Sequence, residues 1–148
     1  SHEQINLKLN SKLPLAMDTI FTKIIKGEIP SYKIAENKDF YAFLDINPNV
    51  KGHTLVIPKK PVDKLFDLDA ETYTALFIYA RKISFAIEKV VNCNRIGLTV
   101  IGLEVPHAHI HLIPLNSMSD ANFSAPKEKM REDEFVELAK KIAAELKD

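Results

Sequence analysis

The chain has one cysteine, Cys93, and no tryptophan among its 148 residues. A lone thiol excludes an intrachain disulfide framework, so a reducing compartment, the cytoplasm, is the expected location. No apolar run approaches the roughly 20 residues that span a bilayer, and no secretory signal is visible. A membrane is therefore not an expected partner. Charge of either sign is also not in excess: Lys plus Arg and Asp plus Glu total 20 each, for a formal net charge of zero. Without a basic field to displace counterions, polymeric nucleic acid is not an expected ligand.

What is present is ordinary globular material, 46% hydrophobic and 27% charged, with a length that suits one domain and a real core. The first sixteen residues, SHEQINLKLNSKLPLA, carry no pattern that buries well, whereas Met17 opens a segment that does. Residues 1–16 read as a leader or an appended stretch, with residues 17–148 as a single domain. A native N-terminal arm is the alternative.

From Asp18, DTIFTKIIKGEIP places Ile20, Phe21, Ile24 and Ile25 at helical spacing behind a capping aspartate, with Gly27 and Pro30 ending the helix. SYKIAEN and DFYAFLDI flank the turn-prone Asn37-Lys38-Asp39 and predict a hairpin. HTLVIP predicts a third strand. Between Asp69 and Val91, Tyr73, Leu76, Phe77, Ala80, Ile83, Ile87 and Val90 recur at steps of three and four, the mark of a long amphipathic helix. RIGLTVI and HAHIHLIPL predict two more strands, NSMSDANFSAP a loop, and Phe135, Leu138, Ala139, Ile142 and Leu146 a C-terminal helix. The expected class is α+β: about five strands, mostly antiparallel, with two substantial helices.

Three of the five histidines, His107, His109 and His111, alternate with Ala108, Ile110 and Leu112. In a strand, alternate side chains share a face, so the imidazoles would face one way and the apolar residues the other. Imidazoles suit a metal such as zinc, copper or nickel. They also suit nucleophilic catalysis, in which a neutral ring attacks phosphorus while a protonated neighbour stabilises charge or protonates the leaving group. Alternate residues of one strand converge poorly on a metal, and no Cys-x-x-Cys or acidic cluster lies nearby.

HAHIHL resembles the His-x-His-x-His-x pattern, with apolar x, of the histidine triad family. IFTKIIKGEIPSYKIAEN, FYAFLDINPNVKGHTLVIPKK and HAHIHLIP occur in the order and at the approximate spacing of its Hint-like branch, over roughly Asp18 to Leu115. The resemblance implies a HIT-like fold and a nucleotide-binding hydrolase. It implies that His109 attacks an α-phosphate and forms a nucleotidyl-histidine intermediate that water hydrolyses, with His111 contacting the phosphate or bridging atom. By the same resemblance His107 orients the nucleophile and His53 stands beside the phosphate. Asp45 matches the aspartate that accepts from ribose hydroxyls, and Ile20, Phe21, Ile24, Phe43 and Ile46 match the apolar pocket around a purine base. Hint-like relatives are homodimers that join their sheets; the apolar face of the long helix is compatible with that, or with burial in the domain's own core.

Two departures stand out. Many bacterial relatives carry Cys-x-x-Cys in the first helix as part of a structural zinc site, and Thr19 and Thr22 stand there instead, so neither a metal nor another cofactor is expected. The family also reaches its first triad histidine through Asn-x-Gly and Gly-Gln-Ser/Thr-Val, whereas this chain has LTVIGLEVPH: Gly102 and Val105 keep their places, but Leu103 and Glu104 replace donors to phosphate oxygens. Glu104 is expected to point to solvent. Facing inward, it would disfavour additional phosphates or bind an amine leaving group. The expected substrate is a purine nucleoside phosphoramidate or related conjugate. A nucleotide-binding module with little activity and a histidine-rich metal-binding protein are the alternatives.

Overall fold

The computed structural model describes residues 18–146. The stretch 1–16 read as a leader, and Met17 with it, lie outside the described residues. In chain order the elements are α1 (Ile20–Ile25), β1 (Lys33–Glu36), β2 (Phe40–Leu44), β3 (Thr54–Pro58), α2 (Ala70–Val90), β4 (Arg95–Thr99), β5 (Ile110–Leu115) and α3 (Glu132–Ala144), with single 3-10 turns at Leu65–Asp67 and Met118–Ala121. The five strands form one sheet in the order β1-β2-β3-β5-β4, and every pairing is antiparallel.

Every residue of β2 and β3 is buried, which identifies a sheet covered on both faces and accounts for the near-continuous apolar run FYAFL. Phe40, Ala42, Leu44, Val56, Ile110 and Leu112 pack against α2 and α3 through Leu76, Ala80, Ile83, Ile87, Leu138 and Ile142. The stripe of α2 at Leu76, Ala80, Ile83 and Ile87 is thus used by the domain's own core, while Ile78 and Phe85 of the same helix stay exposed. On the opposite face, Tyr41, Phe43, Leu55 and Ile57 pack against Phe21 and Ile24 of α1.

Register carries this second face across the sheet. Phe43 pairs with Leu55, Leu55 with His111, and His111 with Thr99; residues opposite each other share a face, so His111 emerges beside the cluster under α1. The hairpin turn forms as its residues predict, with Asn37 Oδ1 accepting from the backbone N–H groups of Asp39 and Phe40. The start of α1 differs from expectation. Thr19, not Asp18, is the N-cap, accepting from Phe21 and Thr22 N–H, while Thr22 returns a side-chain bond to the Thr19 N–H. A threonine three residues on can close this reciprocal cap as a glutamate would.

Candidate active site

The open face of the sheet carries a cavity of about 610 Å³ walled by α1, the end of β2, the segment 101–105 before the histidines and the loop after β5. All six nucleotide-site residues expected from sequence line it: Ile20, Phe21, Ile24, Phe43, Asp45 and Ile46. His109 and His111 line it too, whereas His53 and His107 stand behind them, 1% and 0% exposed. Only His111 belongs to a paired strand; His107 and His109 lie in the extended segment before β5, anchored where the Ala108 N–H donates to Val62 O. The rings still gather on one side. Phe21 packs edge-on to both His107 and His109, and the His109 and His111 ring centroids are 4.9 Å apart.

Backbone partners assign the tautomers. A carbonyl oxygen only accepts, so the 2.7 Å contact of His109 Nδ1 with His107 O requires the proton on Nδ1 and leaves the Nε2 lone pair free. His107 Nε2 is likewise protonated by its 2.7 Å bond to Pro58 O. A backbone N–H only donates, so His53 Nδ1, 3.0 Å from the Asn49 N–H, is the bare nitrogen and Nε2 carries the proton. His53 Nε2 then donates over 2.9 Å to His111 Nδ1, and neutral His111 keeps its proton on Nε2. The result is a lone pair on His109 beside an N–H on His111, each fixed from the main chain.

Burial favours the neutral forms of His53, His107 and His111. Desolvation, reinforced by the charge of neighbouring His111 and Lys127, lowers the His53 pKa to about 3. Desolvation, with His109 and Lys127, lowers that of His111 to about 4. The protonated neighbour expected from sequence is therefore neither of these in the free protein at neutral pH; each offers an uncharged N–H. Desolvation also lowers His107, against the opposing pull of Pro58 O. Asp45 moves the other way: burial raises its pKa, opposed by its bond from the Asn47 N–H and by Lys127, and Glu104 raises it further. Its Oδ2 is 3.6 Å from His53 Nε2, which with His53 neutral is a dipolar contact and not an ion pair.

Asp45, His53 and His111 offer three donor atoms within 4.8 Å of one another, close enough to hold a metal ion. Two of those atoms already bond each other, and a cation would have to displace that bond. Thr19 and Thr22 spend their hydroxyls on the α1 cap and on the Asp18 carboxylate.

Glu104 departs from expectation in part: it is exposed to solvent, yet it also lines the cavity mouth. Sequence reasoning missed Phe123 and Lys127. Both lie in the stretch after β5, and both line the cavity. The Phe123 ring meets the His111 ring edge-on at 4.8 Å, and the Lys127 ammonium lies 5.1 Å from the Phe123 centroid. The one signal available was an aromatic residue in an otherwise polar loop.

Comparison with known proteins identifies the chain's relatives. The HIT domain model matches residues 26–118, more than half of the chain. The adenosine 5'-monophosphoramidase of Saccharomyces cerevisiae is 36% identical over 141 residues, covering 94% of this chain and 89% of that protein. The adenosine 5'-monophosphoramidase of Schizosaccharomyces pombe is 34% identical over 133 residues, 88% of this chain and 100% of that protein. Among solved structures, a Hit-like protein involved in cell-cycle regulation from Bartonella henselae superposes with a TM-score of 0.74 at 34% identity, over 86% of this chain and 96% of that one. With the histidine file, the two-faced antiparallel sheet and these matches together, the chain belongs to the HIT domain family.

Proposed function

We propose that this chain is a nucleotidyl hydrolase that cleaves the α-phosphate bond of a purine nucleoside phosphoramidate or a related nucleotide conjugate. The observation that carries the reading is the His109 Nδ1 bond to His107 O. It presents the opposite nitrogen as a nucleophile without any base having to remove a proton. His109 Nε2 attacks phosphorus; the bond from phosphorus to the leaving nitrogen breaks, and the departing amine takes a proton from solvent, matched by the proton that the attacking water gives up to solvent in the second step. Water then attacks the nucleotidyl-histidine, the phosphorus–Nε2 bond breaks, and nucleoside monophosphate leaves with His109 restored. His111, held by His53, directs its Nε2–H at a phosphate oxygen where charge develops. His107 orients His109 through its carbonyl. Asp45 at the end of β2 accepts from the ribose hydroxyls, and Ile20, Phe21, Ile24, Phe43 and Ile46 enclose the base. No step requires a metal.

Two yeast relatives named adenosine 5'-monophosphoramidase support the phosphoramidate assignment. The protein acts in the cytoplasm as a homodimer joined through its sheets. β4 supports this as a sheet edge, with Leu98, Ile101 and Leu103 exposed along and just beyond it. Among the described residues no helix is long and apolar enough to cross a membrane.

The covalent intermediate is testable by intact mass. Wild-type protein mixed with excess adenosine phosphoramidate and quenched in alkali, where a phosphorus–imidazole bond survives, gains the mass of one adenylyl group. His109→Ala gains none. Turnover by wild type with no adduct at any mixing time rejects the covalent route.

A further inference from the structure

Among the described residues that line the cavity, Lys127 is the one lysine or arginine, beside two carboxylates, Asp45 and Glu104. With His53 and His111 neutral, an arriving phosphate would meet a wall whose other formal charges are negative. The side chains of the segment 101–105 add no donor, since Ile101, Leu103 and Val105 have none and Glu104 is an acceptor.

Lys127 is exposed, yet its ammonium is held in place. Its Nζ donates to Asn49 Oδ1 over 2.7 Å and lies 5.1 Å from the centre of the Phe123 ring, a ring that packs against both His111 and His53. The chain around it is pinned to the segment that bears Asp45 and His53: Asn49 Nδ2 donates to Asp120 O at 3.1 Å, and the Glu128 N–H to Pro48 O at 2.9 Å. Asn49 therefore clasps the loop with its side chain while its backbone N–H fixes His53. An ammonium has three N–H groups. Asn49 takes one, and no other acceptor engages the ammonium among the described residues. Its field already reaches Asp45, His53 and His111.

We propose that Lys127 is the residue by which this site recognises phosphate charge, its free N–H groups binding a non-bridging oxygen of the substrate's α-phosphate from the His111 side. This rests on the reading of the cavity as a nucleotide site. It assigns to the loop after β5 a side-chain donor of the kind that the segment 101–105 lacks. Lys127 thereby separates a nucleotide from its nucleoside.

The test compares AMP and adenosine, which share base and ribose and differ in phosphate, by calorimetric titration of wild type, Lys127→Met and Lys127→Arg. Wild type binds AMP more tightly than adenosine. Lys127→Met loses about tenfold in AMP affinity, the ordinary cost of one charge-assisted hydrogen bond, and keeps its adenosine affinity; Lys127→Arg recovers most of the loss. Equal weakening of both ligands would mean that Lys127 only holds the loop through Asn49, and unchanged AMP affinity would mean that it does nothing for phosphate. Either result overturns the proposal while leaving the nucleotide site standing. Wild-type protein that binds neither ligand overturns the nucleotide reading itself and the proposal with it.

Discussion

His53 does not itself line the cavity, yet the tautomer of His111 depends on it. Replacing His53 with alanine removes the donor to His111 Nδ1 and the acceptor for the Asn49 N–H. Both orphaned groups are enclosed, since His53 itself is 1% exposed. Each unsatisfied buried group costs about 1–3 kcal/mol, so the variant should lose a few kcal/mol of stability. The functional loss is separate. Without its partner, neutral His111 is free to carry its proton on either nitrogen and to turn about its side chain. A hydrogen bond worth about 1–1.5 kcal/mol net then no longer holds the Nε2–H on the phosphate, which corresponds to about tenfold in rate. His53→Gln separates the two effects, because a glutamine amide nitrogen reaches a position near imidazole Nε2 and still donates to His111 Nδ1. In steady-state phosphoramidate hydrolysis, His53→Ala should lower kcat about tenfold with a smaller change in KM, and His53→Gln should recover much of the loss. A glutamine variant as slow as the alanine variant, with wild-type melting behaviour, would refute the orienting role.

Protonation gives a further prediction. The folded-state pKa values of His53, about 3, and His111, about 4, lie below the unfolded value near 6.5. The unfolded chain therefore binds more protons between those limits, and stability is fully present above about pH 6.5 and falls as pH drops toward 4. Urea unfolding across that range should show a slope approaching about 1.4 kcal/mol per pH unit for each histidine, partly offset by Asp45, whose raised pKa acts in the opposite sense. A flat profile would contradict the neutral, buried pair. Glu104→Gln removes a carboxylate from the cavity mouth; hydrolysis of a dinucleoside polyphosphate should rise severalfold relative to a phosphoramidate, and an unchanged ratio would show that Glu104 does not sort substrates. Gly52 has φ +96°, and a Cβ there would lie 2.9 Å from Val91 Cγ2. Gly52→Ala should cost about 1–3 kcal/mol by thermal unfolding.

Much of this fold was legible because its signals are periodic. The α2 stripe at Leu76, Ala80, Ile83 and Ile87 is the core face of that helix, and the alternation through Ile110 and Leu112 marks the buried side of β5. The cap of α1 was misread by one residue, since Asp18 and Thr19 are both good N-caps and only the reciprocal bond from Thr22 decides between them. Asp45 and His53 were visible only through family resemblance, being single polar residues at strand ends with no period of their own. Phe123 was marked only as an aromatic residue in a polar loop, and Lys127 by nothing. Their places are set by side-chain and main-chain bonds from Asn49 and Pro48, more than seventy positions away in the chain, and no local pattern encodes such a contact.

The central claim is that His109 is a metal-independent nucleophile, and hydrolysis of a fluorogenic adenosine phosphoramidate with chelator present tests it most directly. Wild-type protein should turn over, and His109→Ala should lose activity by about a thousandfold or more while still binding AMP. Wild-type rates from His109→Ala, or no turnover by a wild-type protein that binds AMP, would contradict it.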